Sequence, residues 1–156
     1  MPELQVKPLP TQRLAIDDTQ HDWIMYLGGL GSGKSWVLAL MCGLLSHVNS
    51  KKGGGKADCA GGVMCPSLVE FKRDVLPLIL DMWGDMSGFE YKANGKHGAY
   101  FKFPWNKKPL YILSAETRLK GPNLAYFLFN EHSSMQFERV QPAIQRVRDP
   151  KAHSSQ

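Results

Sequence analysis

Eight residues near the amino terminus, Gly28 to Ser35, constrain this chain more than any other stretch. They read GGLGSGKS and satisfy the phosphate-loop pattern G-x-x-x-x-G-K-[ST]. The apolar run at 23–27 predicts a buried strand before the loop, and the apolar run at 36–41 predicts a helix after it. Glycines let backbone N–H groups turn toward an anion, and the helix adds the positive end of its dipole. The stretch therefore predicts a nucleotide phosphate site.

The motif assigns roles to individual side chains, with ATP and Mg²⁺ as the expected ligands. Lys34 would reach the β- and γ-phosphates, and the Ser35 hydroxyl would ligate Mg²⁺. Upstream, Gln12 offers the amide donor and acceptor needed to read the edge of adenine, although an ordinary surface glutamine is the alternative. The loop residues expected to bind the nucleotide are Gly28, Gly29, Gly31, Ser32, Gly33, Lys34 and Ser35.

Length and composition indicate one globular domain, since 156 residues with 43% apolar content can bury a core. We expect an N-terminal segment at 1–22, a nucleotide-binding domain at 23–150 and a polar tail at 151–156. No stretch has the roughly 20 apolar residues of a membrane span, and no signal peptide is recognisable, which favours the cytosol. Three cysteines without a C-x-x-C pair argue against a disulfide framework or a zinc site; they are Cys42, Cys59 and Cys65.

The formal net charge of +5 suits a polyanionic partner, although solubility alone could account for it. The positive charge is clustered. Each cluster could contact DNA or could be a solvated face. The clusters are Lys51, Lys52 and Lys56 in a Gly-rich loop, Lys107 and Lys108 in a second loop, and Arg139, Arg146 and Arg148 near the C-terminus.

The order of patterns after the phosphate loop predicts an α/β fold. The segment 34–47 is apolar on nearly every side, as in a helix packed between layers, and a flexible Gly-rich loop follows it. A short strand is expected at 60–65. Capping-box spacing between Ser67 and Glu70 then begins a helix at 67–83, with a kink near Pro77. This alternation favours a parallel sheet.

The second half of the chain predicts further strands and one more helix. The segment 88–114 has β patterns around the turn signal Asn94-Gly95 and predicts an antiparallel addition to the sheet. The unbroken apolar run 124–129 predicts a central strand that is buried on both faces. Apolar spacing after it predicts a last helix that is interrupted near Pro142.

The end of the run at 124–129 predicts the second half of an ATPase site. An apolar strand that ends in an acidic pair is the Walker B pattern, in which Asp orients the Mg²⁺ shell and Glu polarises the attacking water. Here the pair is Asn130-Glu131. Glu131 is the expected base, and Asn130 can bind Mg²⁺ through a water without adding negative charge, so weaker Mg²⁺ affinity is expected. An ordinary strand-end carboxylate is the alternative for Glu131.

Between the two motifs, Arg118 is the candidate for contacting a phosphate, in its own subunit or in a neighbour. A guanidinium fork matches the charge that develops on a phosphoryl group. A solvated loop arginine is the alternative. Weaker candidates for the same role are Arg73, Arg139, Arg146 and Arg148.

Taken together, the loop 28–35, the segment 118–123 before the strand ending in Asn130-Glu131, and the segment 146–148 resemble the ATPase domain of tailed-bacteriophage terminase large subunits. The resemblance spans residues 8–150. It implies a P-loop NTPase fold of the ASCE type, with three αβα layers and a mainly parallel central sheet plus an antiparallel hairpin. It also implies that Gln12 reads adenine, that residues 28–35 are the Walker A loop and that Glu131 is the catalytic carboxylate. Lys34 and Arg118, assigned above from the residues themselves, complete the expected catalytic set.

The same resemblance implies a motor that uses ATP to move double-stranded DNA through a portal into a procapsid. Its expected partners are DNA, the portal protein, the small terminase subunit and further copies in a ring, without a membrane. The expected location is the host cytoplasm and, transiently, the procapsid portal.

Three departures qualify the likeness. Leu30 occupies the place of an arginine in many members, Asn130 replaces the usual Asp, and the sequence ends at Gln156. We therefore expect a domain that is incomplete on its C-terminal side, without a nuclease domain.

Other interpretations stay open at this point. A superfamily 1 or 2 helicase fragment would share the phosphate loop and the upstream Gln, and the segment 130–132 loosely matches its D-E-x-H box. A small-molecule kinase fits less well. A truncated domain that binds nucleotide without turnover is the alternative outside the enzymes.

Overall fold

A computed structural model describes residues 7–18, 24, 26, 31–116, 123–131, 135, 137–145 and 147. The expected strand at 23–27 and the tail at 151–156 fall mainly or wholly outside these residues. No helix within the described ranges is long and apolar enough to cross a membrane. The helices are α1 (Pro10–Ile16), α2 (Lys34–Val48), α3 (Leu68–Glu70), α4 (Leu76–Trp83) and α5 (Phe137–Ile144), and the strands are β1 (Gly61–Cys65), β2 (Glu90–Lys92), β3 (Tyr100–Lys102), β4 (Leu110–Ser114) and β5 (Tyr126–Phe129).

The five strands form one sheet in the order β2-β3-β4-β1-β5. The central strand β1 pairs in parallel with β4 and with β5, whereas β3 pairs antiparallel with β2 and β4. The mixed α/β class, the parallel core and the antiparallel hairpin are thus confirmed. The segment 110–114 differs from its prediction, because β4 belongs to the parallel core and only its outer edge accepts the hairpin.

The strand β5 is less buried than predicted, since its residues 127–129 are half-buried. It is the last strand in the order of the five that the structure describes, and the expected strand at 23–27 lies mainly outside the described residues. Just before it, Leu124 forms a parallel bridge with Val147. An apolar run identifies such a strand, but its position in a sheet depends on pairing with residues that are distant in sequence.

The expected turn at Asn94-Gly95 is longer than a two-residue hairpin turn. Residues 93–99 connect β2 to β3, and Gly95 and Gly98 exchange backbone hydrogen bonds of 3.0 and 3.1 Å. Gly98 has a φ of 102°, a backbone conformation that glycine adopts without strain. The strands are therefore joined through a glycine pair rather than through Asn94.

The helical segment expected at 67–83 begins as predicted, since the Ser67 hydroxyl accepts a hydrogen bond of 3.2 Å from the Glu70 N–H. It does not continue as one regular helix. A π-helical turn at Phe71–Val75 separates α3 from α4, and Pro77 lies in the first turn of α4. Proline is tolerated at that position because the first N–H groups of a helix have no intrahelical partner.

The core lies between the sheet and the pair α2 and α4. The Trp83 indole N–H donates a hydrogen bond of 2.9 Å to the Ala39 carbonyl in the middle of α2. A Cβ on Gly43 would collide with the same indole ring. The close approach of α2 and α4 therefore depends on a glycine inside α2. Cys42, Cys59 and Cys65 are buried and are thiols, not disulfides.

Candidate nucleotide site

The described part of the predicted phosphate loop, residues 31–35, turns at two glycines into the amino end of α2. Gly31 and Gly33 have φ angles of 75° and 76°, and Gly33 is the N-cap of α2. These are left-handed conformations, so the glycines at these positions are required by the turn. The Gly33 carbonyl accepts the first helical hydrogen bond, from Val37, which leaves the N–H groups of the first helical turn available to an anion.

Side chains support this turn from both sides. The Tyr26 hydroxyl donates a hydrogen bond of 3.2 Å to the Ser32 carbonyl, and the Lys34 ammonium donates one of 3.4 Å to the Ser32 hydroxyl. The three residues Ser32, Lys34 and Ser35 are half-buried. The contact from Tyr26 was not predicted from the sequence, because its role depends on the fold of the loop rather than on a motif.

The structure places Gln12 against the loop, 21 residues away in sequence. Gln12 is buried, and a Cβ on Gly33 would collide with its amide nitrogen. Its amide oxygen accepts a hydrogen bond of 2.8 Å from the Leu9 N–H, at the start of α1. Gln12 is therefore not an ordinary surface glutamine. Its role toward adenine stays a prediction, with its oxygen already engaged by Leu9 in this structure.

The strands β1 and β5 end on the side of the sheet that the loop faces. The carboxyl end of α2 lies near the amino end of β1, because the Cys59 N–H donates a hydrogen bond of 3.0 Å to the Asn49 carbonyl. Helix α2 therefore runs antiparallel to β1, and its amino end lies toward the carboxyl ends of the strands. There the Asn130 N–H donates a hydrogen bond of 2.8 Å to the Met64 carbonyl, which holds Asn130 beside β1.

Glu131, the expected base, has an unusual backbone. Its φ is 52°, and it is the one non-glycine residue with a positive φ among the residues that the structure describes. A left-handed carboxylate residue costs of order 1–3 kcal/mol, and such residues cluster at functional sites. Glu131 is exposed just beyond β5. No sequence pattern predicts a positive φ for glutamate.

Arg73 lies within electrostatic reach of Glu131. The pKa of its guanidinium is raised, first by its paired hydrogen bonds to Asp74 and also by the charges of Glu70 and Glu131. The distances to the two Asp74 oxygens are 2.6 and 2.7 Å. Arg73 was among the weaker of the predicted phosphate contacts, and the π-helical turn brings it to the end of the sheet where Glu131 lies.

Negative charge and burial act together on Cys65, the last residue of β1. Burial first, and then the charges of Glu70 and Glu116, raise the pKa of its thiol to about 12. Its neighbour Ser114 donates a hydrogen bond of 3.3 Å to the Pro66 carbonyl and accepts one of 3.1 Å from the Glu116 N–H. Cys65 is therefore a protonated, inert thiol near neutral pH.

Several predicted contacts lie outside the described residues. They are Gly28, Gly29, Arg118, Arg146 and Arg148, and of Arg139 only the backbone is described. The residues that the structure does bring toward one end of the sheet are the loop from Gly31 to Ser35, Gln12, Asn130 and Glu131. Among the described residues, no cluster of three or more His, Cys, Asp or Glu side chains could hold a metal ion.

The fold class is mixed α/β with a mostly parallel five-stranded sheet, consistent with P-loop NTPases. Among solved structures, the chain is similar to the large terminase from a thermophilic bacteriophage, with a TM-score of 0.64 and 17% sequence identity. That match covers 80% of this chain and 30% of the terminase chain. The same terminase in complex with ATP-γ-S matches with a TM-score of 0.62 and 17% identity, over 80% and 29% of the two chains.

The terminase in complex with ADP matches with a TM-score of 0.62 and 18% identity, over 80% of this chain and 30% of that one. No model of a protein family matches the chain, and neither does any curated protein. The resemblance to terminase large subunits is thereby confirmed at the level of the fold. The chain spans about 30% of the length of the terminase chains that it resembles.

Proposed function

We propose that this chain is an ATP-binding and ATP-hydrolysing motor domain of a viral DNA-packaging terminase, which couples hydrolysis to translocation of double-stranded DNA into a procapsid. The observation that carries the proposal is the positive φ of Gly31 and Gly33 at the start of α2, on a fold similar to that of a large terminase. Solved structures of that terminase hold ATP-γ-S and ADP. The fold would extend to three αβα layers of the ASCE type.

Nucleotide binding is assigned to the loop and to Gln12. The glycine segment, in which Gly28 and Gly29 precede Gly31, Ser32 and Gly33, would hold the phosphates with its N–H groups, and Lys34 would neutralise the β- and γ-phosphates. Gln12 would contact adenine. Its burial against Gly33 supports a place beside the nucleotide, since adenine reading requires a fixed amide.

The proposed reaction is hydrolysis of the bond between the β- and γ-phosphates. Glu131 would accept a proton from a water whose oxygen attacks the γ-phosphorus, and the bridging oxygen would leave with the β-phosphate of ADP. Its exposure beyond β5 supports access to that water. Arg118 would stabilise the charge on the γ-phosphoryl group, from its own subunit or from a neighbour.

The residues at hand fit Mg²⁺, which prefers hard oxygen ligands and keeps several waters. The Ser35 hydroxyl in the first turn of α2 would bind the ion directly, and the Asn130 amide would do so through a water. Bound Mg²⁺ would neutralise phosphate charge during the reaction.

The proposed partners follow from a terminase role. They are double-stranded DNA, the portal protein, the small terminase subunit and further copies of this chain in a ring. The proposed location is the host cytoplasm and the procapsid portal. Residues 23–150 would form the motor domain, with 1–22 as its N-terminal segment and 151–156 as a tail.

The test measures ATP binding and ATP hydrolysis by the 156-residue chain with and without double-stranded DNA. Glu131→Gln should keep ATP binding and lower turnover by about 10²- to 10⁴-fold, because it removes the base but not the phosphate contacts. The exposed Glu138 on α5 gives a matched control, so Glu138→Gln should leave both quantities unchanged.

Each failure has a distinct meaning. Equal hydrolysis by wild type and Glu131→Gln would remove Glu131 from the role of base. ATP binding without hydrolysis, with or without DNA, would support the nucleotide-binding domain without turnover. Unwinding of duplex strands would support a helicase instead.

A further inference from the structure

Two of the lysine clusters meet on one surface of the folded chain. The loop 49–60 carries Lys51, Lys52 and Lys56, and the loop 103–109 carries Lys107 and Lys108. All five lysines are exposed. The loops lead into the neighbouring strands β1 and β4, and the Gly61 N–H donates a hydrogen bond of 3.3 Å to the Pro109 carbonyl. These five lysines, called the basic surface below, therefore lie at the amino ends of the parallel strands.

A single buried side chain ties the two loops together. Asn106 is 2% exposed, and its amide nitrogen donates to the carbonyls of Ser46 (3.0 Å), Cys59 (3.0 Å) and Asn49 (3.3 Å). Its amide oxygen accepts a hydrogen bond of 2.9 Å from the Lys108 N–H. Asn106 thus fixes the backbone of one lysine loop against the other.

The first lysine loop is also fixed from within, which corrects its description as a flexible glycine loop. The Ser50 hydroxyl donates to the His47 carbonyl (2.7 Å) and accepts from the Gly53 N–H (3.1 Å). A 3₁₀ turn spans Lys51–Gly53. A Cβ on Gly53 would collide with the His47 carbonyl, so the turn packs tightly onto the end of α2.

Buried polar side chains are concentrated at this junction. Four of the six among the described residues occur here, namely Ser46, Asn49, Ser50 and Asn106. Each of them hydrogen-bonds, the Ser46 side chain with the Tyr126 hydroxyl and the Asn49 amide with the Leu45 carbonyl at 3.0 Å. A satisfied buried network specifies one geometry, whereas apolar residues would fill the same space less specifically. The loops are therefore held in one arrangement.

The charge of the basic surface is largely uncompensated. The two loops contain five lysines and one carboxylate, Asp58, which gives them a formal charge of +4. Asp58 accepts a hydrogen bond of 3.0 Å from the Lys51 backbone N–H. Lys52 donates to the Pro104 carbonyl at 3.2 Å, and none of the five lysines forms an ion pair with a described residue.

We propose that the basic surface binds the phosphate backbone of double-stranded DNA without regard to base sequence. Several lysines on loops whose backbones are held together match a polyanion with regularly spaced charges. Lysine is depleted at protein–protein interfaces, which favours nucleic acid over an acidic protein. This inference rests on the proposed function for one point, the choice of duplex DNA as the polyanion. The location and charge of the basic surface do not depend on that function.

The basic surface and the nucleotide loop lie at opposite ends of α2. The helix has 15 residues and is therefore about 22 Å long. Loss of lysines at one end should leave nucleotide contacts at the other end intact. DNA binding and nucleotide binding can therefore be measured as separate properties of the same variant.

The test measures the affinity of the 156-residue chain for a mixed-sequence DNA duplex over a range of salt concentrations. The variant Lys107→Gln with Lys108→Gln should lower the slope of log affinity against log salt by about 1.8, since each lost phosphate contact removes about 0.9. The control Lys92→Gln with Lys96→Gln removes the same charge from exposed positions around the hairpin. Its slope should stay close to that of wild type.

Two results would overturn the proposal. Equal loss of slope in the two variants would mean that only net charge matters. Binding of poly-glutamate as tightly as DNA, lost in the same variant, would assign the basic surface to an acidic protein instead.

Binding of an ATP analogue, measured in the same samples, separates this inference from the proposed function. A chain that binds the analogue but shows no salt-dependent DNA affinity would overturn the basic surface alone. A chain that fails to bind the analogue, yet loses slope only in the Lys107 and Lys108 variant, would keep the basic surface and overturn the ATPase proposal.

Discussion

The two ends of α2 differ in how their polar groups are used. At the Lys34 end, glycines with positive φ turn N–H groups outward and half-buried side chains border the loop. At the Val48 end, polar side chains are buried and form hydrogen bonds with the backbone. The first end has backbone N–H groups that lie outside the helical hydrogen bonds, whereas the second uses its polar groups to fix loops and carries exposed lysines. Backbone N–H groups at a single turn suit a compact anion, whereas several separate lysines suit an extended polyanion.

The largest expected effect is on the Val48 end. Asn106→Ala removes the donor for the Ser46 and Cys59 carbonyls and the acceptor for the Lys108 N–H, while the Asn49 carbonyl keeps its hydrogen bond from the Cys59 N–H. We expect the free energy of unfolding to fall by about 3 kcal/mol, because each unsatisfied group costs about 1 kcal/mol or more. Urea unfolding measures the change. Asn94→Ala, at an exposed position, is the control, and equal losses in both variants would contradict the network.

The next effect compares two glycines at the Lys34 end. Gly31 and Gly33 have nearly the same φ, so replacing either by Ala costs the same backbone strain, of order 1–2 kcal/mol. A Cβ on Gly33 also meets the Gln12 amide, whereas a Cβ on Gly31 meets nothing within 4 Å. Gly33→Ala should therefore be less stable than Gly31→Ala by roughly a further 1–3 kcal/mol, and should lose more ATP affinity. Equal free energies of unfolding for the two variants would contradict the contact between Gln12 and Gly33.

Alkaline pH should destabilise the chain through two buried thiols, one within α2 and one at the end of β1. Burial raises the pKa of Cys42 in α2 and of Cys65 at the end of β1 to about 12, from an ordinary value of 9.0. The thiols contribute stability that is full below pH 9 and is lost as the pH rises toward 12, because only the unfolded chain ionises there. Each thiol steepens the loss by up to about 1.4 kcal/mol per pH unit. Urea unfolding at about pH 8, 9 and 10 should show a shallower decline in Cys42→Ala and in Cys65→Ala, and an unchanged decline would contradict the burial effect.

The smallest effect concerns Mg²⁺ at the nucleotide end. Asn130→Asp adds a charge at the end of β5, and a charged acceptor strengthens a hydrogen bond by about 1 kcal/mol over a neutral one. We expect the Mg²⁺ concentration for half-maximal ATP hydrolysis to fall about fivefold. The titration of wild type and variant checks this value. An identical titration would place Asn130 outside the Mg²⁺ shell.

Features set by neighbours in sequence were predictable. The start of α2 after Gly33, the strand β1 and the Ser67 cap follow from local patterns, and the structure has them where expected. The parallel pairing of β4 was not predictable, since its partner β1 lies about 50 residues earlier and turn signals pointed to a hairpin. Helix starts and caps follow from neighbouring residues, whereas strand pairing depends on residues that are far apart in the sequence.

The site divides in the same way. The phosphate loop was predictable because its motif is contiguous. The positive φ of Glu131, the π-helical turn that carries Arg73 and the reach of Asn106 to three carbonyls were not. Asn106 lies 47 to 60 residues from those acceptors, and its sequence context alone marks a loop asparagine. A buried amide of this kind becomes visible only when the fold brings its partners together.

The contact of Trp83 with Ala39 divides α2 into two unequal parts. The indole contacts the helix five residues from its nucleotide end and nine residues from its lysine end, or about 7 and 13 Å along the axis. The longer part is held near both of its ends, by Trp83 and by the hydrogen bonds from Asn106 to the Ser46 and Asn49 carbonyls. A displacement at the phosphate loop would therefore be confined to the short part, residues 34–38, and the lysine loops would keep their geometry.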